Sequence, residues 1–484
     1  MKRALLIAAA CAALYGASLG HFFVSDDFLN FERNLFTTPA EAIGFFSTRD
    51  VDFYRPIPRL HFGGLALLAG DHVIVWNVAN LILHVLASLA AAGLAESLLG
   101  RRGFAPAAVG VLFAVHFIHV EPVLWASGVT TLYVTLFVLT ALLEFRRARE
   151  TGAMKHLSRS VAAFAAALLC KETAVAFVPL LLLTTWWRPP VRPDGEPTRP
   201  FPAFPEVLPF AILLGAWATV TMGIDRGGDA SPYQLTLGPH VVKNVAFFLA
   251  GGFLPLPYWR IQELWSAGGG AGAFVLALMR DPALGLPLVA GGAALVWALL
   301  RGGRDVRAGF AWILLAASPF LLLPGSGERF LYLSSFGACL VIACGLDRLR
   351  AGGRERGAFP WAPVAGAAAL VLFLAGALDR QADWKLAGRW TREIVARWSF
   401  FRELPADEPI EFVGVPERHR SAWVFRNGFP SMVRLYWDGR PYGLEGELPE
   451  ETQGPVRRMA VRLGENGAVG MHPEGPDRRP PEEP

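Results

Sequence analysis

Charge is scarce in this sequence. Asp, Glu, Lys and Arg make up 18% of the 484 residues, against 53% hydrophobic residues, and the mean hydropathy is +0.37. A water-soluble chain of this size carries more charge and breaks its apolar residues into faces. Here they run unbroken, as in Pro360 to Leu378 (PWAPVAGAAALVLFLAGAL). A helix with no polar face belongs in lipid or at the centre of a bundle. Cysteine is also sparse: Cys11, Cys170, Cys339 and Cys344 all sit inside apolar stretches. Their spacing suits no metal site, and none lies in a loop where an oxidising compartment would pair it. Solenoid repeats and the related halves of many transporters are absent as well. The net charge of +4 does not signal nucleic acid, because the basic residues fall in short clusters between apolar spans.

What is abundant fits a bilayer. The 50 glycines and 36 prolines suit membrane helices, where neighbours re-satisfy a broken backbone. Candidate spans number about eleven at roughly 20 residues each. Two of them, 159–171 and 173–187, are short and meet at the charged pair Lys171-Glu172. Clusters such as Arg101-Arg102, Arg146-Arg147-Arg149, Arg301-Arg304-Arg307 and Arg348-Arg350 occupy alternate short connections. With Lys2 and Arg3 they define a cytoplasmic side. Residues 1–20 read as an uncleaved first span, although a signal peptide gives the same topology. The stretch 240–258 reads as a short or re-entrant helix on the outer face, since a crossing there would break the alternation. The expectation is an all-α polytopic protein of the bacterial inner membrane, with its active site and C-terminus periplasmic. The membrane domain covers 1–379, with a first periplasmic loop at 24–72. A small α+β module follows at 380–474, with strands at Ile410–Val415 and Met432–Tyr436, and a disordered tail at 475–484.

The candidate chemistry lies on the outer face. Asp26 and Asp27 follow the first span in Ser25-Asp26-Asp27-Phe28. They can act as a base or bind a cation, or they can simply open the next helix. Tyr54-Arg55-Pro56 closes the same loop, and Arg55 is either a phosphate fork or a rim charge paired with Asp50 or Asp52. His116, His119 and Glu121 (HFIHVEP) have metal-ligand chemistry without a known zinc spacing, so a hydrogen-bond network that fixes the turn ranks ahead of a metal site. Lys171 and Glu172 cannot face lipid, and they either pair with one another or enter a polar cavity. Glu328 and Arg329 repeat that theme before a later span. Carboxylates beside three cations, Arg55, Lys171 and Arg329, match glycosyl transfer from a lipid-phosphate sugar. That reaction needs a base for the acceptor hydroxyl and fixed positive charge for the departing phosphate. Direct displacement would invert the anomeric centre.

The ordered set SDDF, FYRPIPRL, WNVANLILHVL, FAVHFIHVEPVLWASG, LLCKETAVAFVPL and ERFLYLSSFG resembles the GT-C glycosyltransferases over about residues 20–350. Within them it is most similar to the transmembrane protein O-mannosyltransferases that carry tetratricopeptide repeats. The resemblance implies a GT-C fold, with Asp26 and Asp27 at the catalytic centre and Asp26 as base. Lys171 and Arg329, joined by Arg55, would hold the donor phosphate. Tyr54, His116, His119, Glu121, Glu172 and Glu328 would line the cavity. Phe117 stands where the family has Pro, Val129-Thr130-Thr131 replaces a charged run, and the repeats are missing. The expected function is therefore transfer of a mannose-like hexose from a polyprenyl phosphate to a protein or glycan hydroxyl. The residues specify no cofactor, a divalent cation being the one candidate, and no nucleic acid is expected. The rivals are a flippase of lipid-linked glycans and a non-catalytic membrane scaffold.

Overall fold

Apolar runs fold as helices because lipid offers no hydrogen-bond partners, so each backbone group must be satisfied within its own segment. The computed structural model describes residues 1–47, 53–224, 235–356, 361–397, 410–437, 442–444, 457–464, 466 and 468–473. The N-terminal half contains α1 (Lys2–Tyr15), α2 (Asp26–Asn34), α3 (Pro39–Gly44), α4 (Pro56–Ala69), α5 (Val73–Leu99), α6 (Phe104–Ala114), α7 (Val120–Leu124), α8 (Val129–Thr151), α9 (Met154–Leu168) and α10 (Phe177–Trp187). It continues through α11 (Phe204–Met222), α12 (Pro239–Gly251), α13 (Tyr258–Ser266), α14 (Gly270–Arg280), α15 (Pro282–Arg301), α16 (Arg304–Ala317), α17 (Ser335–Arg356) and α18 (Trp361–Ala396).

Among the described residues, five helices are long and apolar enough to cross a membrane, or six if Phe104–Ala114 and Phe117–Leu124, bent by 44°, form one span. These features describe a multi-pass membrane protein. Several of the eleven expected spans fold as shorter pieces. The stretches 159–171 and 173–187 become α9 and α10, parted by the 3-10 turn Glu172–Ala176. The break falls where Lys171 and Glu172 need polar partners. The stretch 240–258 holds only the 13-residue α12 before its helix ends at Gly252.

The 36-residue α18 runs straight through residue 379, where hydropathy alone places the end of the membrane domain. One face of its polar second half is buried against protein. Gln381 donates to the Leu14 carbonyl at 3.0 Å and accepts from Ser18 Oγ at 2.9 Å. Beyond it, β1 (Ile410–Val413), β4 (Tyr442–Leu444), β5 (Arg457–Leu463) and β6 (Val469–Pro473) form a sheet ordered β4-β1-β5-β6. β1 is parallel to both of its neighbours, and β5 and β6 are antiparallel. A separate hairpin pairs β2 (Arg418–His419) with β3 (Ala422–Trp423).

The expected strand at Met432–Tyr436 is instead the helix Phe429–Tyr436. Pro430 in its first turn favours a helix start, and Phe429, Met432 and Val433 bury one face at helical spacing while Arg434 stays outside. The expected tail at 475–484 lies outside the described residues.

Candidate functional site

The acidic pair opens α2 in an unusual way. Ser25 stands at φ 51°, ψ −125° and makes no side-chain cap, a backbone conformation that L-residues adopt only under constraint. The constraint comes from the far end of the chain. Ser25 N–H donates to the Val424 carbonyl at 2.7 Å. Gly428 packs so closely that a Cβ there would meet the Ser25 carbonyl oxygen at 1.9 Å. The two aspartates then diverge. Asp27 is 1% exposed. It accepts from Ser127 N–H at 2.7 Å, Ser127 Oγ at 2.6 Å and Val24 N–H at 3.0 Å. Burial pushes its carboxyl up to about 7, against the pull of those hydrogen bonds. Asp26 is half-buried and accepts from Asn427 Nδ2 at 2.8 Å. Asp27 thus ties α2 to the turn before α8, while Asp26 takes its contacts from Asn427 and, at 3.4 Å, from Ser25 Oγ, both on Oδ1.

A polar cavity of about 360 Å³ reaches Arg426, the residue before Asn427. Glu121, Glu328 and Arg329 contribute from the membrane part, and Arg418, Trp423 and Arg426 from the C-terminal hairpin and the residues after it. Arg329 Nη1 donates to Glu121 Oε1 at 2.8 Å, and its backbone N–H to Oε2 at 3.1 Å. Trp423 Nε1 donates to the same Glu121 Oε1 at 3.2 Å. Glu121 therefore fixes both the arginine and the indole that closes the cavity from above. Glu328 is held by a buried Arg380, with Nε to Oε2 at 2.8 Å. Burial raises the Glu328 carboxyl above its ordinary range, and Arg380 opposes that rise. An apolar pocket of about 90 Å³, lined by Phe117, Phe247, Leu254 and Leu278 among others, shares Tyr258, Gln262 and Glu328 with the polar cavity.

The other expected residues lie elsewhere. Arg55 forks onto Glu172, with Nη2 to Oε2 at 2.7 Å and Nε to Oε1 at 3.3 Å. Its alternative partners Asp50 and Asp52 lie outside the described residues. Glu172 is thereby paired with Arg55, and Lys171 Nζ donates to Thr131 Oγ1 at 2.9 Å. Lys171 lies in the field of both Arg55 and Arg329. Phe330 sits between two of these cations, its ring 5.0 Å from Arg329 and 5.7 Å from Lys171. Tyr54 is half-buried beside Pro56.

His116 and His119 do not reach the cavity wall. Both are fully buried; His116 Nε2 bonds the Gly252 carbonyl at 3.0 Å and His119 Nε2 bonds Ser335 Oγ at 2.9 Å. They pack among Phe113, Phe373 and Tyr332, where a charged or hydrated wall residue would lose its water. Among the described residues, no group of three or more His, Cys, Asp or Glu is placed to hold a metal ion.

Sequence reasoning missed Ser127, Arg380, Asp383, Trp423 and Asn427. Ser127 and Trp423 carry no local mark. Arg380 and Asp383 carried one, as charges on a helix that continues past its apolar run.

Fold and site define a helical membrane protein in which Glu121, residues 323–330 and the C-terminal hairpin segment jointly line a charged cavity. Comparison with known proteins adds relatives. The chain is 34% identical over 122 residues to protein O-mannosyl-transferase Tmtc1 of Drosophila melanogaster, covering 25% of this chain and 14% of that one. It is 24% identical over 240 residues to TMTC1 of Mus musculus, covering 43% and 26%. Against TMTC1 of Homo sapiens it is 28% identical over 161 residues, covering 31% and 18%. The matches thus span about a quarter or less of those relatives' lengths. Among solved structures, that of ArnT from Cupriavidus metallidurans bound to undecaprenyl phosphate aligns over 94% of this chain and 92% of that one, at TM-score 0.34 and 13% identity. A likeness that loose transfers no residue and no activity. No family model matches the chain.

Proposed function

We propose that the protein is an inverting glycosyltransferase that moves a hexose from a polyprenyl phosphate to an acceptor hydroxyl at the outer face of a bacterial inner membrane. The observation that carries this reading is the link from Asp26 through Asn427 to Arg426, which lines a cation-rich cavity that shares a wall with an apolar pocket. In the reaction the acceptor oxygen attacks the anomeric carbon, the bond from that carbon to the phosphate oxygen breaks, and the acceptor proton passes to Asp26. The departing phosphate takes the negative charge, and Arg329 on the cavity wall stabilises it as it forms, with Lys171 adding its field from across the Phe330 ring. Asp27 positions Asp26 by holding α2 against Ser127. The partial likeness to O-mannosyl-transferases makes mannose the first donor to try and a protein hydroxyl the first acceptor. Residues 1–379 are the catalytic membrane domain in this reading, and 380–474 form the outer-face module that completes the site.

The test is transfer of labelled sugar from polyprenyl phosphate in proteoliposomes. Asp26→Asn keeps size and the Asn427 contact but removes the proton acceptor. Turnover should fall at least roughly 10²-fold, the usual worth of a general base, with an unchanged melting temperature. Near-normal transfer by this variant sinks the assignment.

A further inference from the structure

The hairpin β2–β3 brings arginine into a turn that arginine does not suit. Arg418 faces Trp423 and His419 faces Ala422 across the pair, so Arg420 and Ser421 form a two-residue turn. Arg420 has φ 47°, a left-handed conformation for which such turns normally use Gly, Asn or Asp. A strained non-glycine residue points to a constraint other than folding. Ser421, the second turn residue, is fixed from below by Asp383, which accepts from its N–H at 3.3 Å and its Oγ at 2.9 Å. The turn is thereby held over the cavity that Arg420 helps to line.

Three arginines of this segment reach that cavity with little to neutralise them. Arg418 meets Glu263 only at 3.6 Å, and Arg420 meets Asp383 only at 3.8 Å with its side chain 55% exposed. Loose, exposed pairs of this kind hold a cation weakly. Arg426 lies 4.7 Å from the Trp423 ring and makes no ion pair among the described residues. Of the carboxylates lining the cavity, Glu121 is taken by Arg329 and Glu328 by Arg380, which leaves Glu417 against three arginines. Arg426 also precedes Asn427, the residue bonded to Asp26.

We propose that Arg418, Arg420 and Arg426 form the acceptor subsite, and that the acceptor carries a phosphate group near the hydroxyl that receives the sugar. The proposal rests on Asp26 as the base, since that places the acceptor beside Asn427. Planar guanidinium forks match phosphate oxygens in pairs. A cluster of them excludes a neutral acceptor by leaving its own charges unanswered.

The experiment uses the full chain in phosphatidylcholine nanodiscs, with glucose and glucose 6-phosphate as probes. Glucose 6-phosphate should bind roughly tenfold tighter or better than glucose, the usual worth of one or two hydrogen bonds to a charged group. Arg426→Gln and Arg420→Gly should each remove most of that preference. Arg420→Gly also relieves the strained turn, so its melting temperature should match or exceed that of the wild type and its loss of binding cannot be blamed on unfolding. Adding phosphatidylglycerol to the discs separates two sources of phosphate. Competition that depends on the arginines identifies a lipid headgroup, and its absence identifies a soluble phosphorylated acceptor; both keep the subsite. Equal binding of the two probes overturns the proposal, as does loss of polyprenyl-phosphate binding in the arginine variants with no loss of glucose 6-phosphate binding. Because binding is read without turnover, a failure of Asp26 as base would appear only in the transfer assay.

Discussion

Asp26 and Asp27 are neighbours that should answer to different measurements. Asp27→Ala removes the acceptor of two buried backbone N–H groups, those of Val24 and Ser127. The Ser127 hydroxyl can turn and already accepts from Asn30, but the backbone donors cannot. At about 1–3 kcal/mol for each buried donor left unpaired, the variant should lose about 2–6 kcal/mol. Asp27→Asn keeps one acceptor oxygen and sets an NH2 against the other donor, so about half that loss is expected. The carboxyl's own titration adds a pH signature. Burial lifts it from 3.8 to about 7, so the folded state holds the proton more tightly than the unfolded chain does. The stability this gives is complete below pH 3.8 and is lost as pH rises through about 7. At about 1.36 kcal/mol per unit, the upper bound is about 4 kcal/mol. Melting curves in nanodiscs from pH 4 to 8 should therefore slope downward in the wild type, and the slope should be shallower in Asp27→Asn, which cannot titrate. The reasoning fails if Asp27→Ala melts with the wild type, or if Asp26→Asn melts as low as Asp27→Ala.

Two other outcomes follow from the same contacts. Arg380→Met strands Glu328 in the interior and should cost about 3–5 kcal/mol. Adding Glu328→Gln should recover much of that loss, and no recovery in the double variant would mean the pair is not what holds the two segments together. A reporter active only in the cytoplasm, fused after residue 484, should stay silent if the arginine clusters mark the inner side, whereas a strong signal would reverse the proposed topology.

The membrane character of the chain was legible because hydropathy is a local property. Pro360 to Leu378 announces a lipid-facing helix with no knowledge of its neighbours, and Lys171-Glu172 announces a break because charge there needs a partner. The partner itself was not legible. Glu172 takes Arg55 across 117 positions, and nothing near either residue favours that choice over Lys171. The same limit explains α18. Its polar second half reads as the start of a water-exposed module, yet Arg380, Gln381 and Asp383 are buried because Glu328, α1 and the hairpin respectively dock onto them. Met432–Tyr436 failed for a different reason. A short apolar run has no decisive period, and the flanking Gly428 and Pro430, which favour a helix start, were outweighed by β-prone residues.

The acidic pair itself was visible as a pair, but its division of labour was not. Adjacent residues on a helix point about 100° apart, so Asp27 can be buried while Asp26 stays half-exposed beside Asn427. Which one turns inward depends on Ser25, whose backbone is held at positive φ by Val424 and Gly428, about four hundred positions away. The start of α2 therefore takes its conformation against the C-terminal segment. The same segment that forces Ser25 also supplies Asn427 to Asp26 and Trp423 to Glu121. The C-terminal segment thus fixes the Asp26 contact and the cover of the cavity together.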